Sequence, residues 1–267
     1  MVDVDAYFHR IAHAGPGNPT LALLRDLTTR HLSEIAFENL DPFLGVPVEL
    51  DPEALHTKLV RARRGGYCQE HNAVFHDVLA ALGFSVTALG ARVVWAFKGK
   101  PAPLTHRLTL VDLPEGIFIA DVGFGGHSPT WPLRLETDIE QPTPHGRYRL
   151  ERAAEMFELQ LWLNGNWEAL YQFNLAPQTR IDFEVANWYT STNPRSLFTQ
   201  NLIVCRVIGD TRVNLFNANL TTRQPDGSTQ QRTLADAADL REVLEEVMNL
   251  ALPAPADIIW AKLARHP

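Results

Sequence analysis

The sequence predicts an α+β protein with a helical N-terminal third, a β-rich middle and a mixed C-terminal segment. Three observations carry that expectation. Up to about residue 82 apolar residues recur at helical spacing. From about residue 84 they fall into short β-branched and aromatic runs divided by turn residues. Beyond about 186 both patterns occur. The 267 residues are 45% hydrophobic and 21% charged. A chain of this size buries a sizeable core without staples.

The helical third divides at its breakers. A first helix, Ala6 to Ala12, stops at Gly15-Pro16-Gly17-Asn18-Pro19. Thr20 caps a second, Leu21 to Glu34, with Leu24, Leu27, Leu32 and Ile35 near one face. A loop holding Asp41-Pro42 and Gly45-Val46-Pro47 follows. A third helix runs from Asp51 (N-cap) and Pro52 (first turn) to Arg64, where Gly65-Gly66 stops it. A fourth begins near Cys68 and ends near Leu82, its apolar face formed by Val74, Phe75, Val78, Leu79 and Leu82.

Five runs then read as strands: Val86 to Trp95, Arg107 to Val111, Ile117 to Val122, Phe157 to Leu163 and Trp167 to Phe173. Asn164-Gly165 between the last two is a hairpin signal. This middle region reads as an antiparallel sheet or barrel. Leu202 to Val207 and Arg212 to Leu220 read as strands, and Leu234 to Leu250 as the one C-terminal helix. Trp162, Trp167, Trp188 and Trp260 read as core, as does Cys205 in its apolar strand.

Charge and cysteine content narrow the function classes. Lys and Arg number 24 against 31 acids, a net charge of −7, which argues against a dedicated nucleic-acid binder. Two cysteines, Cys68 and Cys205, make no disulfide framework. No CxxC pair is present and His71 and His76 find no matching ligand set, so no metal is expected. The N-terminal residues Asp3 and Asp5 are unlike a signal peptide, and no run of about 18 apolar residues offers a membrane span. A cytoplasmic protein without nucleic-acid or membrane partners is expected.

The densest chemistry lies in Arg64-Gly65-Gly66-Tyr67-Cys68-Gln69-Glu70-His71-Asn72. A cysteine at a helix N-terminus sits where the dipole and free N–H groups favour negative charge, and the same groups can hold an oxyanion. Cys68 reads equally well as a small core residue behind a Gly-Gly stop. The candidate base is His106 and the candidate orienting acid Asp121. If the hairpin between them closes at Asp112 and Ile117, paired residues sum to 229 and His106 lies diagonally from Asp121 on one face. A one-residue slip separates them. That face is otherwise apolar, which singles out the carboxylate. Cys68, His106 and Asp121 then form a Cys–His–Asp triad holding a thiolate–imidazolium pair at rest. The loop Gly123-Phe124-Gly125-Gly126 matches no nucleotide fingerprint. It reads either as a backbone cradle for a pyrophosphate or as a tight turn after a strand. Lys98 and Lys100 read as an exposed loop.

With these residues in place the sequence resembles the arylamine N-acetyltransferase family. The resemblance rests on Tyr7-Phe8-His9-Arg10-Ile11, Phe37-Glu38-Asn39-Leu40, the Arg64 to Cys68 block with Asn72, Thr105-His106, Asp121-Val122-Gly123-Phe124-Gly125, and Asp182-Phe183 with Asn187, Ser191, Pro194, Ser196 and Phe198. It implies an N-terminal helical bundle over 1–83, a central antiparallel β-barrel over 84–186 and a C-terminal α/β lid over 187–267, with a papain- or transglutaminase-like catalytic core. It implies acetyl transfer from acetyl-CoA, as acyl-donor co-substrate, to an arylamine or hydrazine, through Cys68, His106 and Asp121. The implied acceptor pocket is Phe37, Val94 (or Val93), Phe124 and Phe198. The implied CoA contacts are Thr105, Gly123, Phe124, Gly125 and Gly126. Arg10, Glu38 and Arg64 resemble a charged group supporting the fold, and His127 stands where acceptor choice is tuned. A monomer or homodimer is expected. The alternatives are a cysteine amidohydrolase on the same triad and a non-enzymatic CoA-binding module.

Overall fold

A computed structural model describes residues 2–95, 99 and 101–265. Lys98 and Lys100 therefore lie outside the described residues. The helices of the N-terminal third are α1 (Val4–Arg10), α2 (Leu21–Glu34), α3 (Leu40–Leu44), α4 (Pro52–His56) and α5 (Cys68–Ala81). Their caps follow the sequence. Asp3 accepts from the Ala6 N–H, Thr20 from Leu23, and Asp51 from Glu53 and Ala54. The helix expected to reach Arg64 ends sooner. After His56 it widens into a π-wound turn, Thr57–Arg61, and Arg63 then takes a left-handed φ of 54° that stops it before the glycines. The loop expected around Asp41 and Pro42 is instead α3. A two-residue strand, β1 (Phe37–Glu38), precedes it.

The middle of the chain is an eight-stranded antiparallel sheet nearly closed into a barrel. Its strands are β2 (Ser85–Val93), β3 (Leu104–Leu113), β4 (Gly116–Ala120), β5 (Leu133–Arg134), β6 (Gln141–Thr143), β7 (Gly146–Ala153), β8 (Met156–Leu163) and β9 (Asn166–Pro177), in the order β5-β4-β3-β2-β9-β8-β7-β6. The two edge strands are clasped by Gln141. Its side-chain amide donates to the Arg134 carbonyl and accepts from the Arg134 N–H. Asn164 and Gly165 both carry positive φ, 51° and 84°, as the hairpin twist demands.

The rest holds α6 (Arg180–Thr192), α7 (Leu197–Gln200), β10 (Ile203–Ile208), β11 (Thr211–Phe216), β12 (Asn219–Arg223), β13 (Thr229–Thr233), α8 (Ala237–Glu242) and α9 (Ala256–Leu263). The single helix expected after 186 is thus several, and the expected 186/187 boundary falls inside α6. That helix hides its amphipathicity. Ile181, Val185, Trp188 and Tyr189 lie on its exposed side, so its apolar residues do not mark one buried stripe. Trp188 is 69% exposed and is not core, and Trp162, Trp167 and Trp260 are half-buried. Strands β10 to β13 form a second sheet whose far edge is β1, in the order β1-β10-β11-β12-β13.

Three apolar clusters follow from this layout. One joins α1, α2, α4 and α5 to the outer face of β3 and β4. One fills the barrel. One lies between the second sheet, α3, α8 and α9. A fourth, small cluster holds Phe37, Val48, Tyr67, Cys68 and Cys205, with Phe198 packed against it. The two cysteines are both free and buried.

Candidate active site

Cys68 is the first residue of α5, and its surroundings explain the Gly-Gly pair before it. A Cβ on Gly65 would stand 2.0 Å from the Ala36 carbonyl oxygen and 2.7 Å from Glu38 Cγ. The Glu38 N–H donates to the Gly66 carbonyl at 2.7 Å. The glycines therefore admit β1 against the turn into α5. Glu70 caps that turn by accepting the Tyr67 N–H at 3.0 Å. Glu70 is itself held by Lys58 (2.6 Å), Lys58 by Asp41 (2.6 Å), Asp41 by Arg64 (2.8 Å) and Arg64 by Glu38 (2.8 Å). Arg10, grouped with Glu38 and Arg64 on the sequence, instead donates to the main-chain carbonyls of Leu59 and Glu34.

The β3–β4 hairpin closes in the register the sequence predicts. Asp112 pairs Ile117, Leu110 pairs Ile119 and Thr109 pairs Ala120. His106 and Asp121 fall diagonally across the open end of that ladder, and His106 Nε2 donates to Asp121 Oδ2 at 2.7 Å. A carboxylate only accepts, so the imidazole proton is on Nε2 and Nδ1 is left as the basic nitrogen. Asp121 Oδ1 accepts from Asn72 Nδ2 and from the Gly123 N–H, both at 2.9 Å. Phe124 stands edge-on to the imidazole at 5.5 Å, and Tyr171 covers it at 5.0 Å.

Helix α5 meets β3 through two side-chain amides. On β3, strand β4 pairs only with the stretch Thr109–Leu113. Upstream of that ladder, the carbonyls flanking His106 accept from α5: Thr105 from Gln69 Nε2 at 2.8 Å, and Arg107 from Asn72 Nδ2 at 2.5 Å. Thr105 is the extra residue of a β-bulge, where Ala91 pairs His106 and Arg92 pairs Leu104. The Cys68 thiol reaches the same Thr105 carbonyl at 3.7 Å.

Electrostatics at the three groups are uneven. Burial pushes the Cys68 thiol well up and the negative charge of Asp121 adds to it. The N–H groups of Gln69 and Cys68 at the helix start pull the other way. Burial and the Asp121 carboxylate thus oppose the thiolate expected from the sequence, while the helix-start N–H groups favour it. Ionisation has to deliver the proton to a neighbouring base. Burial would also raise Asp121, but the charge of His106 and hydrogen bonds from His106, Asn72 and the Gly123 N–H outweigh it and hold the carboxyl below the usual range.

This arrangement has known relatives. An N-acetyltransferase family model matches residues 20–257. The arylamine N-acetyltransferase of Mycobacterium tuberculosis is 47% identical over 251 residues, 92% of this chain and 88% of the relative. The chain belongs to the arylamine N-acetyltransferase family. The Mycobacterium marinum arylamine N-acetyltransferase in complex with CoA superposes with a TM-score of 0.95 at 39% identity, over 99% of each chain. The M. tuberculosis enzyme structure gives 0.92 at 44%, over 98% of this chain and 99% of that one. As a member of the arylamine N-acetyltransferase family, the protein is an acyltransferase enzyme.

The other residues singled out on the sequence fall in different places. Phe37 and Phe198 lie 6.1 Å apart, ring to ring, and Phe198 stands edge-on to Tyr67 at 5.5 Å, in the cluster that holds Cys68. Phe124 is on the imidazole side. Val94 follows β2 and lines a groove of about 960 Å³ with Trp95, Glu158, Glu168 and Gln172. In the glycine-rich loop the N–H groups of Gly123 and Phe124 bond Asp121 and Ser128. Gly125 and Gly126 keep main-chain N–H groups without a hydrogen-bond partner among the described residues. His127 packs against Trp95, and burial, with Arg212 and Arg223 nearby, pushes its pKa down to about 3. His71 is hydrogen-bonded to His31, and no group of three or more His, Cys, Asp or Glu among the described residues is placed to hold a metal. No helix among them is long and apolar enough to cross a membrane. Asn72 had no role on the sequence, although its spacing of four from Cys68 puts both on one face of α5.

Proposed function

We propose that this chain transfers acetyl from acetyl-CoA to an arylamine or arylhydrazine by a ping-pong reaction through acetyl-Cys68. The observation that carries this reading is the 2.7 Å bond between His106 and Asp121, with Cys68 held at the start of α5 beside Thr105. The CoA bound by the M. marinum relative supports acetyl-CoA as donor.

The steps follow from the protonation states. The Cys68 proton passes to His106 Nδ1, and Asp121 stabilises the imidazolium. The thiolate attacks the acetyl carbonyl carbon, and N–H groups at the start of α5 hold the oxyanion. The carbon–sulfur bond to CoA breaks and His106 returns its proton to the leaving thiolate. The amine then attacks acetyl-Cys68, His106 accepts an N–H proton, and Cys68 leaves to re-form its thiol. One thioester replaces another in the first half, so that half is reversible.

Acceptor choice follows from the cluster around Cys68. Phe37, Tyr67 and Phe198 offer a flat, apolar, desolvated wall, with Phe124 across the imidazole. An aniline nitrogen is neutral near pH 7 and enters such a site intact, whereas an alkylammonium would lose its hydration. For CoA, Thr105 beside Cys68 and the Gly123–Gly126 loop supply surface, with the Gly125 and Gly126 N–H groups as donors there.

The test is intact mass after addition of acetyl-CoA without acceptor. One acetyl group on the wild type and none on Cys68→Ala is expected. Amide cleavage without an adduct would point to a hydrolase, and binding without either to a non-enzymatic module. Turnover retained by Cys68→Ala would remove the nucleophile.

A further inference from the structure

The residue after Cys68 is placed where no local pattern requires it. Gln69 is fully buried, and its side chain crosses from α5 to the bulged residue of β3. A carbonyl only accepts, so the atom facing the Thr105 oxygen at 2.8 Å must be Nε2. The other amide atom, Oε1, is then buried without a partner among the described residues. An unpaired buried acceptor is destabilising, and a protein that keeps one at a functional site has a reason to do so.

The reason is visible in what else the Thr105 carbonyl touches. The Cys68 thiol donates to that same oxygen, weakly, at 3.7 Å. A hydrogen bond that stabilises the neutral S–H form raises the thiol pKa and lowers its readiness to ionise. Here the shorter bond from Gln69 occupies the oxygen and fixes the bulge. With Asn72 on the Arg107 carbonyl, it anchors both peptide units that flank His106. Asn72 also bonds the Asp121 carboxylate, so it serves the acid as well as the strand. Gln69 has no such second task.

We infer that Gln69 is a positioning residue for acyl transfer: by holding the Thr105 carbonyl it keeps the thiol proton from being captured there and sets the His106 strand against Cys68. This rests on Cys68 as the nucleophile. It makes no contact of its own with donor or acceptor. Its effect belongs in the ionisation of Cys68 and the acetylation half-reaction, and not in acceptor binding.

The test uses Gln69→Met, which keeps the chain length, and Gln69→Asn, which retains the amide but is one methylene short. Thermal melting verifies that both variants fold. In both variants the pH profile of Cys68 alkylation by iodoacetamide is expected to move up by about one unit, a tenfold lower rate near pH 7. Single-turnover acetylation by acetyl-CoA should slow by a similar factor, with kcat/KM for the acceptor unchanged. In the wild type, the Gln69 side-chain amide protons should exchange slowly with solvent and shift when Cys68 is acetylated. An unmoved alkylation profile in either folded variant, or solvent-rate exchange of the wild-type amide, overturns the inference. Alkylation reads the thiol without any acetyl donor, so this outcome is separable from loss of the nucleophile assignment, which Cys68→Ala decides.

Discussion

Asp121 presents its two oxygens to different partners, and that division predicts a sharp mutant. Oδ1 takes two donors, Asn72 Nδ2 and the Gly123 N–H, while Oδ2 takes His106 Nε2. In Asp121→Asn the side-chain oxygen must stay with the two donors. The new NH₂ group then faces His106 Nε2, which has to become an acceptor. The imidazole proton moves to Nδ1, and the base that receives the Cys68 proton is lost. The expected result is a fall in kcat of about 10⁴-fold, the cost of a wrong tautomer in a triad, with melting close to wild type, measured with an arylamine acceptor. At this scale the sequence was informative wherever a side chain's place follows from counting along one element or one hairpin. His106 and Asp121 meet because the index sum held, and Asn72 shares the face of Cys68 by its spacing. The Gln69 contact was not legible, since it depends on a bulge at Thr105 that no local pattern announces. The charge balance at Cys68 is legible only in part, for a related reason. Helix position is readable from sequence, but burial beside a carboxylate is a tertiary fact.

Between α1, α2 and α5 runs a buried polar chain whose polarity is fixed by its last acceptor. The Ala36 carbonyl can only accept, so His71 Nε2 donates to it (3.2 Å). His71 Nδ1 then accepts from His31 Nε2 (2.7 Å), and His31 Nδ1 accepts from the Tyr7 hydroxyl (2.8 Å). Every group is satisfied only with both rings neutral. Burial lowers both imidazoles, His31 well below its ordinary value and His71 to about 4, and His71 and Arg10 further depress His31. The unfolded chain takes up these protons near pH 6.5. The stability the relay supplies is thus complete above about 6.5 and drains as pH falls toward 4. Urea midpoints should decline over that window. Tyr7→Phe leaves His31 Nδ1 unpaired and should lower stability by about 1–3 kcal/mol at neutral pH. A flat midpoint from pH 7 to 4.5 would contradict the relay. Helices α2 and α5 were legible because cap, apolar face and stop signal agree. Strand β7 was legible but missed: Arg147, Arg149 and Glu151 alternate with Tyr148 and Leu150. Strand β1, two residues long, has no period to read, and α9 was also missed.

Across the whole molecule, the segment beyond residue 202 is woven into the N-terminal third. Strand β1 is the edge of the C-terminal sheet, with Phe37 opposite Cys205 and Glu38 opposite Val204. Asn39 bonds the carbonyls of Phe198 and Asn201 and the Ile203 N–H, all at 2.7 Å. Arg206 donates to the Ser33 carbonyl in α2 and to the Val247 carbonyl near the C-terminus. Ala36, Leu40 and Phe43 are buried against residues of the C-terminal sheet and helices. Re-exposing Leu40 and Phe43 alone costs about 3–6 kcal/mol, which rivals the whole stability of a typical domain, about 5–15 kcal/mol. The loss falls at β1, next to the Gly65–Gly66 turn that aims Cys68. The intact chain should therefore unfold in one transition, with circular dichroism and Cys68 alkylation reporting the same midpoint. A fragment ending at residue 202 should lack a cooperative melt and fail to acquire an acetyl group from acetyl-CoA. If that fragment instead melted cooperatively and became acetylated on Cys68, the candidate site would need only the helices and the barrel, and β1 pairing would be incidental to it.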